Sequence, residues 1–406
     1  MWTGLLVSGA GYYFTVVATF FQIYEITGSS AAVGLLGLAG LAGIVVGIVA
    51  GGTFIDAVDR RSTLIWAQVA AAAGSGLLVL GALADHPPVG LVYGSVALLS
   101  GVSAIDSAVR NATVSRLVGR DLLPSAVTLN QVVQNATALL GPALAGVVIA
   151  NFGLVAAYGV DLLSCVAMLV VVSTIRPVPP ESGHLRETGW DAVVSGFGYL
   201  RRRQVLQAAF AADLVAMIFG MPRALFPLIA VTQFDQGAAV VGLLFAAPAV
   251  GALLGALTGG WVRGVRHQGQ AVLWAIVAWG ASIATFGLVG DRLWLGLVLL
   301  AVAGGADVIS AIFRGTIIQL SVPDELRGRL SSINYLVVAG GPRLGDLEAG
   351  LVASLFSPAV SVVSGGLLCI AGAAVIACIV PSFRRYQALS DEPVARAPGT
   401  GSDGFG

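Results

Sequence analysis

Runs of about 20 apolar residues, broken by short polar stretches, follow one another along the whole chain. They lie at 3–24, 31–55, 63–84, 89–115, 125–150, 154–175, 206–231, 238–262, 271–290, 293–319, 331–355 and 359–381. About 20 helical residues cross the roughly 30 Å of hydrocarbon in a bilayer. The pattern therefore predicts an all-α integral membrane protein with twelve transmembrane helices.

The pattern also repeats. Arg110 recurs as Arg314, Asn130 as Asn334, Gly141 as Gly345, Gly146 as Gly350, Phe152 as Phe356 and Cys165 as Cys369, each pair 204 residues apart. Earlier in each copy the offset is 208, and Gly34, Gly43, Gly47, Gly51 and Gly52 map onto Gly242, Gly251, Gly255, Gly259 and Gly260. A fixed offset over many positions marks a duplication. Six spans per copy is an even number, so both copies cross the membrane in the same sense, as parallel repeats do.

Composition agrees with a membrane protein. The chain is 57% hydrophobic and 10% charged, against about 25% charged for soluble domains. All 21 basic residues are arginine. Sixteen of them fall on one side of the predicted spans: Arg60, Arg61, Arg116, Arg120, Arg176, Arg186, Arg201, Arg202, Arg203, Arg263, Arg266, Arg327, Arg329, Arg384, Arg385 and Arg396. Only Arg292 falls on the other. The positive-inside rule makes the first side cytoplasmic, so both termini are expected in the cytosol. Four domains are expected: a six-helix half at 1–175, a cytoplasmic linker with an amphipathic helix at 176–205, a second six-helix half at 206–383, and a disordered tail at 384–406 rich in Pro, Gly, Ser and acid. Met1 stands almost at the first residue of the first run, with no basic leader and no cleavage site. A secretory signal peptide is therefore not expected.

Several chemistries are excluded. With no lysine there is no phosphate-loop Lys for ATP hydrolysis. His86, His184 and His267 lie far apart in loops, so no zinc, haem or other metal or cofactor site is expected, and no GxSxG elbow appears. Cys165, Cys369 and Cys378 fall in predicted helices and read as packing residues. A net charge of zero argues against nucleic acid. The chain is not read as an enzyme.

What remains is charge inside the spans, where each ionisable group costs about 2.5–3.5 kcal/mol to insert and needs a partner or water. Asp106 and Arg110 are four apart and share a face of helix 4; Asp307 and Arg314, seven apart on helix 10, do likewise. These read as two acid–base pairs facing each other across the pseudo-symmetry axis, or as plain structural salt bridges on the cytoplasmic side. Asp213 and Arg223, ten apart on helix 7, need different partners. Asp213 is the first candidate for a protonatable group in a cavity, ahead of Asp307, Asp106 and Asp346. Asp161 reads as a structural hydrogen-bond partner and Glu25 as an interfacial charge. Gly340-Gly341-Pro342 predicts a loosened or broken helix 11 beside an Arg343–Asp346 pair. The ladders Gly43, Gly47, Gly51 and Gly251, Gly255, Gly259 recur every four residues and read as close packing of helices 2 and 8, where the halves would slide.

The segment Gly52-Thr53-Phe54-Ile55-Asp56-Ala57-Val58-Asp59-Arg60-Arg61 resembles the loop between helices 2 and 3 of the major facilitator superfamily, whose pattern is G-x-L-A-D-R-x-G-R-K. Gly52, Asp56, Arg60 and Arg61 match, while Ala57 and Asp59 depart from it. Gly141-Pro142-Ala143-Leu144-Ala145-Gly146 is similar to the superfamily's antiporter motif G-P-x-x-G-G, with Ala145 in place of one Gly. Ala108-Val109-Arg110-Asn111-Ala112, Leu117-Val118-Gly119-Arg120, Leu129-Asn130, Gly328-Arg329-Leu330 and Tyr199-Leu200-Arg201-Arg202 resemble the branch that includes enterobactin exporters and macrolide-efflux-type permeases.

The resemblance implies two halves rocking about a central site, with helices 1, 4, 7 and 10 lining a cavity. It implies a monomer in the bacterial inner membrane whose partners are a small-molecule cargo, protons and the bilayer. Arg223 and Arg343 would then bind an anionic cargo such as a catecholate, with Tyr12, Tyr13, Phe14, Phe219 and Phe226 as aromatic surface. The gate would use Gly52, Asp56, Arg60, Arg61, Arg110 and Arg314, and Gly141, Pro142 and Gly146 would form the antiporter-like motif. A multidrug or macrolide efflux permease is the alternative within this class. A membrane receptor or scaffold that transports nothing is the alternative from another.

Overall fold

The structure is a computed structural model that describes residues 2–55, 59–84, 87–117, 119–174, 190–323 and 326–387. Its helices are α1 (Trp2–Thr27), α2 (Ser30–Ile55), α3 (Arg60–Leu83), α4 (Val89–Leu117), α5 (Gly119–Ser173), α6 (Trp190–Leu200), α7 (Gln204–Phe219), α8 (Phe226–Thr232), α9 (Ala238–Leu257), α10 (Gln268–Phe286), α11 (Leu293–Ser321), α12 (Arg327–Leu355), α13 (Pro358–Ile379) and α14 (Pro381–Arg384). Ten stretches among the described residues are long and apolar enough to cross a membrane. One of them, Thr128–Ser173, is 46 residues long and turns at Gly153, so it makes two crossings. At φ 78° and ψ 178°, Gly153 is in a region that side chains disfavour and glycine enters freely. Its repeat equivalent Ser357 makes the same turn differently, as the cap of α13, accepting a hydrogen bond from the Val360 N–H at 3.2 Å. The twelfth crossing is α12, whose 29 residues reach about 43 Å; Arg343, Asp346 and Glu348 lower its hydropathy.

Large apolar side chains such as Val46, Trp66, Leu163 and Ile379 are exposed on the outside. That suits lipid, where helices pack through small residues and every backbone group is bonded within its own helix. Helices α1–α5 pack on one another, as do α7–α13, and the two groups meet along α2 with α12 and along α5 with α9.

These two seams are pseudo-symmetric. A Cβ on Gly34 would lie 3.2 Å from the Gly350 Cα, and one on Gly146 would lie 2.9 Å from the Gly242 Cα. Gly34 maps onto Gly242 and Gly146 onto Gly350 by the offsets of the duplication, so each contact is the image of the other. Ser30 Oγ also donates to the Gly350 carbonyl at 3.1 Å. The glycine ladders belong elsewhere: Gly43 and Gly47 seat the backbone of Ala97 and Gly101 on α4, and Gly251 and Gly255 that of Ala301 and Gly305 on α11. They bind helices within a half, which corrects the expectation that the halves slide there.

A second correction concerns the broken helix. Helix α12 runs unbroken through Pro342. The irregular backbone is in the seventh span, where α7 stops at Phe219, Gly220-Met221-Pro222 intervenes, and a 3₁₀ turn at Arg223–Leu225 leads into α8. Proline removes an N–H and ends a helix ahead of it. The freed carbonyl of Gly220 accepts from Trp279 Nε1 at 2.9 Å, so the break is satisfied internally.

Candidate functional site

Between the two groups lies a cavity of about 500 Å³, within the size range of small-molecule sites. Along α1 it is lined from Leu5 to Phe20, a stretch of about 22 Å of helix. Leu5 lies toward the arginine-rich face. Beyond Phe20, toward the arginine-poor face, three rings fill the space: Phe20 of α1 meets Phe245 of α9 edge-on at 5.5 Å, and Phe245 meets Phe226 of α8 at 5.0 Å. The cross-group glycine contacts sit at that same end.

The wall of the cavity comes from α1, α2, α3, α4, α5, the turn at Arg223 and α12. The eleventh span contributes in place of the tenth, since no α11 residue lines it. That corrects the implied lining by helices 1, 4, 7 and 10.

The charged groups in the cavity are nearly all engaged. Asp106 accepts from Arg110 Nη2 at 2.5 Å and Nε at 3.0 Å, and from Gln68 Nε2 at 3.2 Å. Asp346, which is 1% exposed, accepts from Arg223 Nη2 at 2.7 Å and Nε at 3.3 Å. Arg223 stands just after Pro222, so the break in the seventh span aims the guanidinium at α12. Asp161 accepts from Thr15 Oγ1 at 2.7 Å and Ser75 Oγ at 2.6 Å, tying α1 and α3 to α5. Charge-assisted bonds of this kind are about twice as strong as neutral ones.

Arg343 differs. Its Nη1 donates to the Ala339 carbonyl at 2.7 Å and its Nη2 to Ser100 Oγ at 3.3 Å, both neutral oxygens. It makes no ion pair among the described residues. The expected Arg343–Asp346 pair is therefore not formed, because Asp346 faces Arg223. Room for Arg343 comes from α2, where Gly37 and Gly40 carry no side chain against it.

Asp213 lies outside this cavity. It pairs with Arg314 Nη1 at 2.5 Å and the two line a smaller cavity of about 140 Å³ between α7, α11 and α12. This corrects both the expected Asp307–Arg314 pair and the place of Asp213 in the cargo cavity. The reason is in the duplication: Arg110 has Asp106 one turn before it, but the equivalent of Asp106 in the second copy is Ser310. Asp307 is two turns from Arg314, about 10 Å along the axis, so Arg314 takes the acid offered across the helix interface. Asp307 lines neither cavity.

Of the aromatic candidates, Tyr12 and Tyr13 line the large cavity, with rings edge-on at 5.5 Å. Phe14 and Phe226 are 5% and 2% exposed and packed in the core, and Phe219 packs against that core. None of the three lines the cavity, which corrects their reading as cargo surface. Tyr335, Gln68 and Ser100 line it and have no counterpart in the sequence expectations. A signal existed only for Tyr335, next to the repeated Asn334.

In the loop motif, Gly52 lies in the last turn of α2 and Arg60 and Arg61 begin α3. Arg61 Nη2 donates to the Ser173 carbonyl at 2.6 Å. Asp56 lies outside the described residues. In the antiporter-like motif, a Cβ on Gly141 would press on Tyr13, while the Pro142 carbonyl and Gly146 abut Gly242. The motif thus brings α5 against both α1 and α9.

Comparison with known proteins points the same way. The enterobactin exporter EntS of Citrobacter koseri is 28% identical over 380 residues, covering 91% of this chain and 88% of that one. Among solved structures, the nucleoside transporter NupG superposes with a TM-score of 0.69 at 12% identity, over 94% of this chain and 98% of the other. A bacterial homologue of the iron transporter ferroportin, solved in an inward-facing state, does so with 0.68 at 16% identity, over 94% and 97%. The family model described as transmembrane secretion effector matches residues 1–399. With a twelve-crossing fold, duplicated halves and a central cavity in place, the chain belongs to the transmembrane secretion effector family of the major facilitator superfamily.

Proposed function

We propose that this transporter exports an anionic, aromatic small molecule of the catecholate class, such as enterobactin, in exchange for protons, by alternating access across the bacterial inner membrane. The observation that carries the reading is Arg343, a cavity cation that makes no ion pair among the described residues, in a cavity that Tyr12, Tyr13 and Tyr335 also line. A bound anion would complete its charge, and the rings offer faces and hydroxyls to a catechol. The enterobactin exporter names among the relatives support the same cargo class.

A cationic drug fits less well. Asp106 and Asp346 are each taken by an arginine, and Asp161 is 4% exposed and covered by the Thr15 and Ser75 hydroxyls, so no accessible carboxylate is offered to it. A receptor or scaffold would need neither the cavity nor a cation in it that makes no ion pair among the described residues.

The working unit is a monomer with halves at 1–175 and 206–383, a linker at 176–205 and a tail at 384–406, both termini in the cytosol. In that orientation the cavity opens inward and the three phenylalanines close the outer end. Cysteine labelling checks this: in intact cells an impermeant thiol reagent should modify Asp291→Cys and spare Ser182→Cys. The reverse pattern would invert the orientation and with it the direction of transport.

Equilibrium binding to the purified protein tests the cargo. Iron-free enterobactin should bind, and Arg343→Ala should weaken it about tenfold, the 1.4 kcal/mol of one charge-assisted contact. Ethidium, a cation, should bind more weakly than enterobactin and lose nothing in the variant. Tighter binding of ethidium would favour the multidrug reading instead.

A further inference from the structure

The cluster around Arg314 holds two acids and one base. Asp213 of α7 takes the guanidinium at 2.5 Å, and both partners are nearly inaccessible at 5% and 7% exposure. Asp307, two turns away on α11, is within Coulombic reach of both. Asp307 Oδ1, like Asp213 Oδ1, is buried and accepts no aligned hydrogen bond, and of the two acids only Asp213 is within ion-pair distance of Arg314. The helices that pack principally on α11 are α7, α9 and α10. Asp213 is the only charged residue in α7, and α9 and α10 contain none. One positive charge therefore faces two carboxyls, and among the described residues no second cation acts on Asp307.

Two buried carboxylates cannot both stay ionised against one guanidinium without leaving a net charge in a low-dielectric interior. The acid with the short ion pair keeps its charge. We propose that Asp307 is the carboxyl that takes up and releases the exchanged proton, and that protons and cargo use separate compartments, coupled through the fold and not through a shared ligand. The inference rests on the proton-exchange reading above and names the site that reading leaves open.

Two observations carry the separation. The large and small cavities share no lining residue. The small one, lined by Asp213, Arg314 and Asn334, lies toward the arginine-rich ends of α7, α11 and α12. Asp307, which lines neither cavity, is two turns further along α11, so a proton reaching it from that face would pass by the Asp213–Arg314 pair and not through the large cavity. Protonation of Asp307 leaves Asp213 as the sole anion on Arg314. Its release returns a second anion to compete for the same guanidinium, and α7 and α11 are the elements that this competition pulls on.

The test uses the full chain in liposomes, with two readouts. Infrared difference spectra against pH should contain, beside the signals of Glu348 and the exposed acids, a titrating protonated-carboxyl band that Asp307→Asn removes and Asp307→Glu restores. In the same variant, accumulation of enterobactin driven by a pH gradient should fall at least about tenfold, while its equilibrium affinity stays within about twofold of the native protein. Persistence of the full band in Asp307→Asn, or its loss in Asp213→Asn alone, overturns the assignment. A comparable loss of cargo affinity in Asp307→Asn overturns the separation of compartments. If the native protein shows the band but no gradient moves cargo, the exchange reading fails while the proton site stands.

Discussion

Replacing Arg314 with glutamine should be the most damaging single change to stability in this protein. It strands Asp213 at 5% exposure with no ion-pair partner and removes the one cation among the described residues that acts on Asp307. Breaking a buried ion pair from one side costs about 3–5 kcal/mol, because the remaining charge has neither water nor a partner. Removing both partners costs much less, since Asp307, the one acid left in the cluster, can be held protonated. The double variant Arg314→Gln/Asp213→Asn should therefore recover most of the loss in thermal unfolding of the purified protein. Arg110→Gln should cost less, because Asp106 is more exposed, lines the open cavity and keeps Gln68 as a donor. Equal stability of Arg314→Gln and the native protein would mean that the pair is not formed.

A second large effect should come from the glycines of the seams, and it should fall on conformation and not on folding. A side chain on Gly146 meets the Ala238 carbonyl at 2.7 Å and the Gly242 Cα at 2.9 Å; one on Gly34 meets the Asp346 carbonyl at 2.7 Å. Both neighbours are backbone of the opposite group, so the groups must part at the arginine-poor end. Gly146→Val should hold that end open, make a cysteine at Tyr12 reactive from outside, and slow transport by about tenfold or more, the population shift of a clash worth 1.4 kcal/mol or above. Gly251→Val is the control. Its clash is with Ala301 inside one group, so it should lower the unfolding temperature without exposing Tyr12. Reactivity at Tyr12 in both variants would show that the two kinds of contact are not distinct.

The duplication explains what was legible in the sequence. Twelve apolar runs and the 204 and 208 offsets anticipate the fold, and they also contain the two seam contacts, because Gly34, Gly146, Gly242 and Gly350 are all repeated positions. Separating seam glycines from ladder glycines was beyond the sequence, since both kinds recur and only the facing helix tells them apart. Ion pairing was legible where it is local: Asp106 and Arg110 are one turn apart on one helix. It failed where the partner comes from another helix, as with Arg314 and Asp213 or Arg223 and Asp346. Spacing along a chain carries no information about which helix is adjacent. The helix break was misplaced for a related reason. Pro342 is carried within α12, whereas Pro222 follows Gly220 and Met221 at a point where Trp279 accommodates the free carbonyl, and that acceptance depends on the tertiary neighbour.

The central claim is transport of an anionic catecholate against its gradient, through this cavity and at the expense of a proton gradient. The most direct measurement is enterobactin flux into inverted-orientation proteoliposomes whose lumen is more acidic than the bath. The account predicts accumulation that collapses when a protonophore is added and that falls about tenfold in Arg343→Ala. Equal enterobactin movement in liposomes with and without the protein, or accumulation that survives the protonophore, would contradict it.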